Sequence, residues 1–376
     1  MRVLHLISGG DTGGAKTHVL TLLKELNKQI DAQLLCIMEG VFTKEAKEMG
    51  IPITIMLQKK RYNIFIVRKM IKFINDNNFD ILHCHGARAN FLAILLKPWI
   101  KIPIITTIHS DYKLDFTNDR YKQLFYTPIN SLALRGISYY IAVTEAFKDM
   151  LVDRGFDEDV IYEVYNGISF NDESDLLTKR EFFQKYNISL EEDVLYIGSV
   201  ARLHPVKGID VFLKGAVEVI KNYPMARFVV AGEGPDRKKY EYFIEKNNLT
   251  DKVFLLGHVE DIVSFYNAID INVLASYSES FPYALLEGGR QKKPTVSSSV
   301  GGISKMIDHG ENGFLFQPGD YKSMSKYLLT LIKDEELRLK IGKAFYEKIK
   351  NDFSSGKMAE RHIEIYKEIL EGRKLK

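Results

Sequence analysis

Short β-rich runs alternate with longer helical patterns along almost the whole chain, and this alternation restricts the fold more than any other feature. In the first half, runs at 2–7, 33–37, 53–56, 81–84, 104–108 and 139–143 read as strands. Between them apolar residues recur at helical spacing, as in Val19, Leu20, Leu22, Leu23 and Leu26. Strand and helix in alternation imply right-handed crossovers and parallel sheets covered on both faces. A turn signal at Asn166-Gly167 precedes a polar, acidic segment over 169–178. The alternation then restarts at Val194, with runs at 194–200, 227–231, 253–255, 271–274 and 294–296. A chain of 376 residues is too long for one ordinary core. The expected fold class is therefore α/β, with two facing, Rossmann-like, doubly wound parallel-sheet domains at 1–170 and 190–355. A cleft between such domains would take ligands beyond the carboxyl ends of the strands. The last helical pattern, about 356–376, carries Met358, Ile363, Ile365, Tyr366 and Leu370 and is expected to pack back on the N-terminal domain.

Composition narrows the partners. A net charge of +3, with no dense Lys/Arg tract in a recognised DNA or RNA motif, gives no footing for nucleic acid. Cys36 and Cys84 sit inside apolar runs, where reduced thiols act as small hydrophobes, so a reducing, cytoplasmic setting is expected. No stretch approaches the roughly 20 apolar residues of a spanning helix, and the apolar run at 3–7 is too short for a signal-peptide core. The expectation is a soluble protein, or one attached to the inner face of a membrane.

Two segments of the second half carry the strongest chemistry. Arg202 and Lys207 stand five positions apart on a loop ending in Gly208, just after a strand. Arg can fork onto two phosphate oxygens and Lys acts as a point charge; the alternative is a pair of solvated cations. Glu279 and Glu287 stand eight apart across a turn and a helix start. Pro282 suits the first turn of that helix, which would leave the backbone N–H groups near Tyr283 and Ala284 free for phosphate or sugar oxygens. Glu287 would accept ribose hydroxyls and Glu279 would reach a sugar, against the alternative of a capped surface helix with two solvated carboxylates. A diphosphate between two polyhydroxyl groups is a nucleotide sugar.

The first half offers weaker signals. Ser8-Gly9-Gly10-Asp11-Thr12-Gly13-Gly14-Ala15 links the first strand to a helix, so its backbone could approach an anion. It has neither P-loop nor G-x-G-x-x-G spacing, and a tight turn without ligand is the alternative. His83 and His85 share a strand face. With His109 they could imitate a metal site, but no nearby Cys or carboxylate completes a ligand spacing. His83 is read as a packed strand residue, and His85 and His109 as bordering the cleft. Asp157 and Asp159 have D-x-D spacing but lie in a polar loop. No metal is expected; Arg and Lys would neutralise the leaving diphosphate. Between Lys59 and Ile74 stand six basic residues and no acidic one. Arg68, Lys69 and Lys72 form a stripe that includes Phe65, a pattern suited to anionic lipid, or else an ordinary surface helix.

With these residues assembled, the chain resembles the retaining glycosyltransferases of family four, with the two-domain GT-B fold, over nearly its whole length. The resemblance rests on Gly13-Gly14-Ala15, Ala201-Arg202 to Lys207-Gly208, Gly232-Glu233-Gly234-Pro235, Gly257-His258-Val259, Glu279 to Glu287, and Val300-Gly301-Gly302. It implies a hexosyltransferase moving a sugar from a nucleoside diphosphate sugar to a glycan or lipid-linked acceptor, by front-face attack without metal or other cofactor. Arg202 and Lys207 would contact the diphosphate, Glu279 the sugar and Glu287 the ribose. Gly13 and Gly14 would approach the donor phosphate or acceptor, and backbone at Phe281, Pro282, Tyr283 and Ala284 the sugar and phosphate. Gly257, His258 and Val259 would line the base pocket. His109 would act at the reacting centre, with His85 and Asn166 on the acceptor side. The chain departs from the family pattern at Ser304-Lys305, where Pro-Glu is frequent, at Ser169, where Asp is usual, and at Gly288-Gly289-Arg290. Other readings are a nucleotide-sugar epimerase of the same architecture, a nicotinamide oxidoreductase lacking its fingerprint, and a silent partner subunit.

Overall fold

The computed structural model describes residues 1–10, 13–58, 65–113, 120–170, 176–191 and 193–372. Parts of two stretches singled out above, 59–64 and 171–175, lie outside the described residues. The chain divides into two compact units, one of Met1–Ser169 with Ser355–Lys376, the other of Phe170–Ser354.

The first unit holds a seven-stranded parallel sheet made of β1 (Arg2–Ile7), β2 (Asp31–Cys36), β3 (Ile53–Ile55), β4 (Ile81–His85), β5 (Ile104–Ile108), β6 (Tyr139–Ala142) and β7 (Ile161–Glu163). Its order is β3-β2-β1-β4-β5-β6-β7. Strand order reverses between β1 and β4, which makes the ends of Ile7 and His85 the topological switch point. Every residue of β4 and β5 is buried, as parallel strands covered on both faces require. On one face, Val3, Ile7, Ile81 and Ile105 pack under helices Gly14–Leu26 and Ser355–Leu370. On the other, Leu4, Leu6, Leu82 and Cys84 pack under helices Phe65–Asp76 and Ala87–Leu96. The C-terminal helix is amphipathic: Met358, Ala359, Ile363, Ile365, Tyr366 and Ile369 enter the core, each large one contributing about 1.5–3 kcal/mol by burial. Leu370, assigned above to the apolar face, is 45% exposed; Ile369 takes that place.

The second unit holds a six-stranded parallel sheet of β8 (Leu195–Val200), β9 (Ala226–Ala231), β10 (Val253–Gly257), β11 (Ile271–Leu274), β12 (Thr295–Ser298) and β13 (Phe314–Phe316). Its order, β10-β9-β8-β11-β12-β13, reverses between β8 and β11. β7 and β13 do not stand out in the sequence. Each has three residues and lies at a sheet edge, too short for an alternation pattern and defined mainly by pairing with β6 and β12. Cys36 and Cys84 are buried free thiols. Among the described residues no helix is long and apolar enough to cross a membrane.

Candidate active site

The switch point of the second unit gathers the charged residues of both second-half segments. After β8 the chain is pinned to β9 and its loop, since Ala201 N–H donates to Ala231 O (3.1 Å) and Leu203 N–H to Glu233 O (2.9 Å). With Leu203 fully buried between them, Arg202 faces outward and is exposed. Its carbonyl oxygen accepts His204 N–H at 2.8 Å, whereas its guanidinium has no ion-pair or hydrogen-bond partner among the described residues. A short 3₁₀ turn, Pro205–Lys207, follows, and Gly208 closes it in the left-handed region at φ 63°. A Cβ on Gly208 would fall 1.9 Å from Ala275 O, so only glycine lets this loop lie against the chain leaving β11.

That neighbouring chain carries Glu279, whose side chain is only 8% exposed. Lys207 Nζ lies 2.6 Å from Glu279 Oε1, and Ser276 Oγ donates to the same oxygen at 2.7 Å. Oε2 has no partner among the described residues. Gly301 grips the loop from the other side: its Cβ would sit 2.0 Å from Glu279 O, and Gly302 N–H donates to Ser280 O at 2.8 Å. Lys207, expected at a diphosphate, thus already holds one partner. It is ion-paired with the other proposed ligand group, which fixes the carboxylate's direction.

Helix Tyr283–Arg290 begins next, with Pro282 at its N-cap rather than in its first turn and no side-chain cap. The first N–H groups of a helix lack intrahelical partners and carry partial positive charge. Glu287 is partly buried on this helix, beside Tyr266, whose hydroxyl donates to Ala284 O at 2.7 Å. Burial pushes the Glu287 carboxyl up to about 7, against the opposing pull of Arg290 and a Tyr266 hydrogen bond. The Tyr283 hydroxyl is buried without a partner among the described residues. The Phe281 side chain is in the core, 5.1 Å from Phe353 between ring centroids, so that residue could meet a ligand only through its backbone. Val259 likewise packs into the core, whereas His258 is exposed and Gly257 O accepts from Gly232 N–H at 2.7 Å.

The switch point of the first unit is built differently. Gly13, at φ 68°, starts helix Gly14–Leu26 with no side-chain cap; Asp11 and Thr12 lie outside the described residues. Beneath that helix, register aligns His5 with His83, and Ile7 with His85 and Thr107. The helices add His18, His362 and Tyr366, and β5 runs out into His109, giving six imidazoles in one layer. His85 Nδ1 is 3.3 Å from His109 Nε2, and His85 Nε2 is 3.0 Å from His5 Nδ1. Tyr366 Oη is 3.5 Å from His5 Nε2 and 2.6 Å from His83 Nδ1, and His83 Nε2 is 2.7 Å from Thr107 Oγ1. His18 Nδ1 meets Asn166 Oδ1 at 2.9 Å, and His362 Nδ1 meets Met358 O at 2.7 Å.

Burial holds all six imidazoles neutral, with the nearby imidazoles adding to the effect for most: His18 falls to about 4, His362 to about 3, and His5, His83, His85 and His109 well below the usual value. Of the residues expected at the cleft or on the acceptor side, His85 and Asn166 are buried and His109 is half-buried. The sequence reading passed over His5, His18 and His362. His5 could have been found from the alternation of β1, which sets it on the face of Val3 and Ile7; His18 and His362 depend on helix docking. Asp157 caps the short turn at Glu158–Val160 by accepting Asp159 N–H.

Residues 12–172 match the family described as Glycosyltransferase Family 4, and residues 179–348 match Glycosyl transferases group 1. Over 325 residues the chain is 27% identical to N-acetyl-alpha-D-glucosaminyl L-malate synthase of Bacillus anthracis, covering 84% of this chain and 81% of that protein. It is 24% identical over 353 residues to UDP-Gal:alpha-D-GlcNAc-diphosphoundecaprenol alpha-1,3-galactosyltransferase of Escherichia coli, covering 90% and 89%. Among solved structures, Anabaena Alr3699/HepE in complex with UDP-glucose is similar at a TM-score of 0.80 and 21% identity, over 97% of this chain and 98% of that one.

Proposed function

The chain belongs to the family-four glycosyltransferases, enzymes with the GT-B fold, and on that premise we propose that it moves a hexose from a nucleoside diphosphate sugar to a glycan or lipid-linked acceptor. The observation that carries this reading is the grouping at the β8/β11 switch point: an exposed unpaired cation, a directed carboxylate and an uncapped helix start on adjoining loops. Arg202 takes the diphosphate, joined by the remaining N–H donors of Lys207. Glu279 Oε2 accepts sugar hydroxyls while Oε1 stays on Lys207 and Ser276. The N–H groups at the start of helix Tyr283–Arg290 meet phosphate oxygens, and Glu287 accepts the two ribose hydroxyls.

Transfer is retaining and metal-independent. The bond from the anomeric carbon to the departing phosphate oxygen breaks as the acceptor oxygen attacks the same face. The acceptor proton passes to a phosphate oxygen. Fixed cations and helix N–H groups stabilise the charge that develops on the leaving diphosphate. His109, neutral and at the edge of its layer, contacts the sugar or acceptor.

Support for a UDP-sugar donor comes from the UDP-glucose complex of the similar Anabaena protein, and for a diphosphoundecaprenol-linked acceptor from the printed activity of the E. coli relative. With such an acceptor the enzyme would act at the cytoplasmic face of a membrane, in polysaccharide or glycoconjugate synthesis. Helix Phe65–Asp76 supplies a surface for this: Phe65 is 65% exposed, and Arg68, Lys69 and Lys72 are exposed beside it.

Arg202→Ala and Glu287→Ala are each expected to lower kcat/KM by about 10- to 100-fold, the worth of one charge-assisted hydrogen bond. Transfer should continue in excess chelator. Full activity in both variants would remove the site assignment, and loss of transfer on chelation that magnesium or manganese restores would remove the metal-independent mechanism. Calorimetry with nucleoside diphosphates against nicotinamide dinucleotides checks the ligand class.

A further inference from the structure

The imidazole layer of the first unit does more than fill space. Its groups form a directed chain. If His85 donates from Nε2 to His5 Nδ1, then His5 Nε2 donates to Tyr366, Tyr366 to His83 Nδ1, and His83 Nε2 to Thr107 Oγ1, with every proton used once. That arrangement leaves a lone pair on His85 Nδ1. On His18, Nδ1 is the nitrogen that donates to Asn166 Oδ1, and Nε2 is buried with no hydrogen-bond partner among the described residues. A buried acceptor with nothing to accept is costly. His109 brings Nε2 to 3.3 Å from His85 Nδ1, and one ring nitrogen from each of His18, His85 and His109 lies within 4.8 Å of the other two.

We propose that His18, His85 and His109 form a binding site for a divalent transition-metal ion of the zinc type. Two imidazole nitrogens on a tetrahedral zinc, each about 2.0–2.1 Å from the metal, stand about 3.3 Å apart, the separation found between His85 and His109. Neutral imidazole is the form that coordinates. Each buried ligand also has an orienting partner on its other nitrogen, Asn166 for His18 and His5 for His85, as metal-bound histidines generally do. His109 is half-buried, which gives the ion an entry path and leaves a fourth position for water or another small ligand. The neighbouring triad of His5, His83 and His85 is the weaker candidate, because both nitrogens of His83 are committed to Tyr366 and Thr107.

The site shares His109 with the transfer reading but does not rest on it: it would stand if the chain transferred no sugar, and the transfer chemistry proposed above uses no metal. The test is calorimetric titration of zinc into full-length, untagged protein stripped with chelator, joined by cobalt titration followed in the visible spectrum. One zinc per chain and the intense bands of four-coordinate cobalt are expected. His18→Ala and His109→Ala should each weaken binding by about 100-fold or more, whereas His362→Ala, outside the triad, should keep it. His109→Ala is the safer variant for folding, because its ring is at the edge of the layer, and circular dichroism checks both. Absence of zinc binding by the wild type, wild-type affinity in His18→Ala and His109→Ala, or loss confined to His362→Ala would each overturn the proposal.

Discussion

The two switch points occupy equivalent places in two similar sheets, yet one is built from charge and the other from neutral imidazole. Between β8 and β11, loops carry the functional groups outward: Arg202 is exposed, and Lys207 and Glu279 compensate each other at 2.6 Å. Between β1 and β4, the polar groups stand on strands and on the two helices that seal them, so that burial keeps the imidazoles neutral. A parallel strand covered on both faces tolerates polar side chains only where they satisfy one another. Loops beyond the strand ends escape that rule. The contrast explains how one unit can offer ions to a ligand while the other offers lone pairs.

The largest expected effect that could break this comparison is acid destabilisation confined to the first unit. Imidazoles with folded pKa values below the ordinary 6.5 stabilise fully above that pH and lose the contribution as pH falls, through about 4 for His18 and about 3 for His362. His18 alone accounts for on the order of 3 kcal/mol. Hydrogen exchange on the full chain at pH 7 and pH 4 should show β1, β4 and β5 losing protection before β8, β9 and β11. Equal loss in both sheets would contradict the account.

Next in size, Glu279→Gln should lower transfer by about 100-fold and stability by about 2 kcal/mol, because Lys207 keeps its charge at a partly buried site without its partner. A double variant that also replaces Lys207 with Met should regain stability but not activity. If the single variant is as stable as wild type, the pair is only a surface contact.

Glu287 sharpens the comparison through its opposite sign. Its folded pKa of about 7 lies above the ordinary 4.5, so its contribution to stability is present below 4.5 and lost as pH rises through about 7. The ionised form is the one that accepts two hydroxyls, so donor KM should rise severalfold as pH falls from 8 to 6, and Glu287→Gln should flatten that profile. An unchanged profile in the variant would assign the titration elsewhere. The smallest effect concerns the exposed basic helix: Phe65→Ser with Lys69→Glu should reduce co-sedimentation with anionic vesicles by a fewfold, and unchanged binding would leave it an ordinary surface.

Much of the fold was legible because short β-rich apolar runs alternated with helical spacing; β1, β5 and β11 fall at the residues read as strands. The short edge strands β7 and β13 were not, since three residues carry no period. On the donor side the residue types were readable from motif order, but the Lys207–Glu279 pair was not, because it joins residues 72 apart through loops held by Gly208 and Gly301. On the other side, His83, His85 and His109 were visible as a local pattern, while His18 and His362 were not.

By itself the sequence determined where the longer strands and helices lie, how they divide into two parallel-sheet units, and which residues can bear charge, since these follow from local patterning and residue chemistry. Only the tertiary structure decided which charges compensate each other and which imidazoles are held neutral. Both depend on distances and burial between residues far apart in the chain, and water is excluded only once the helices have docked on the sheet.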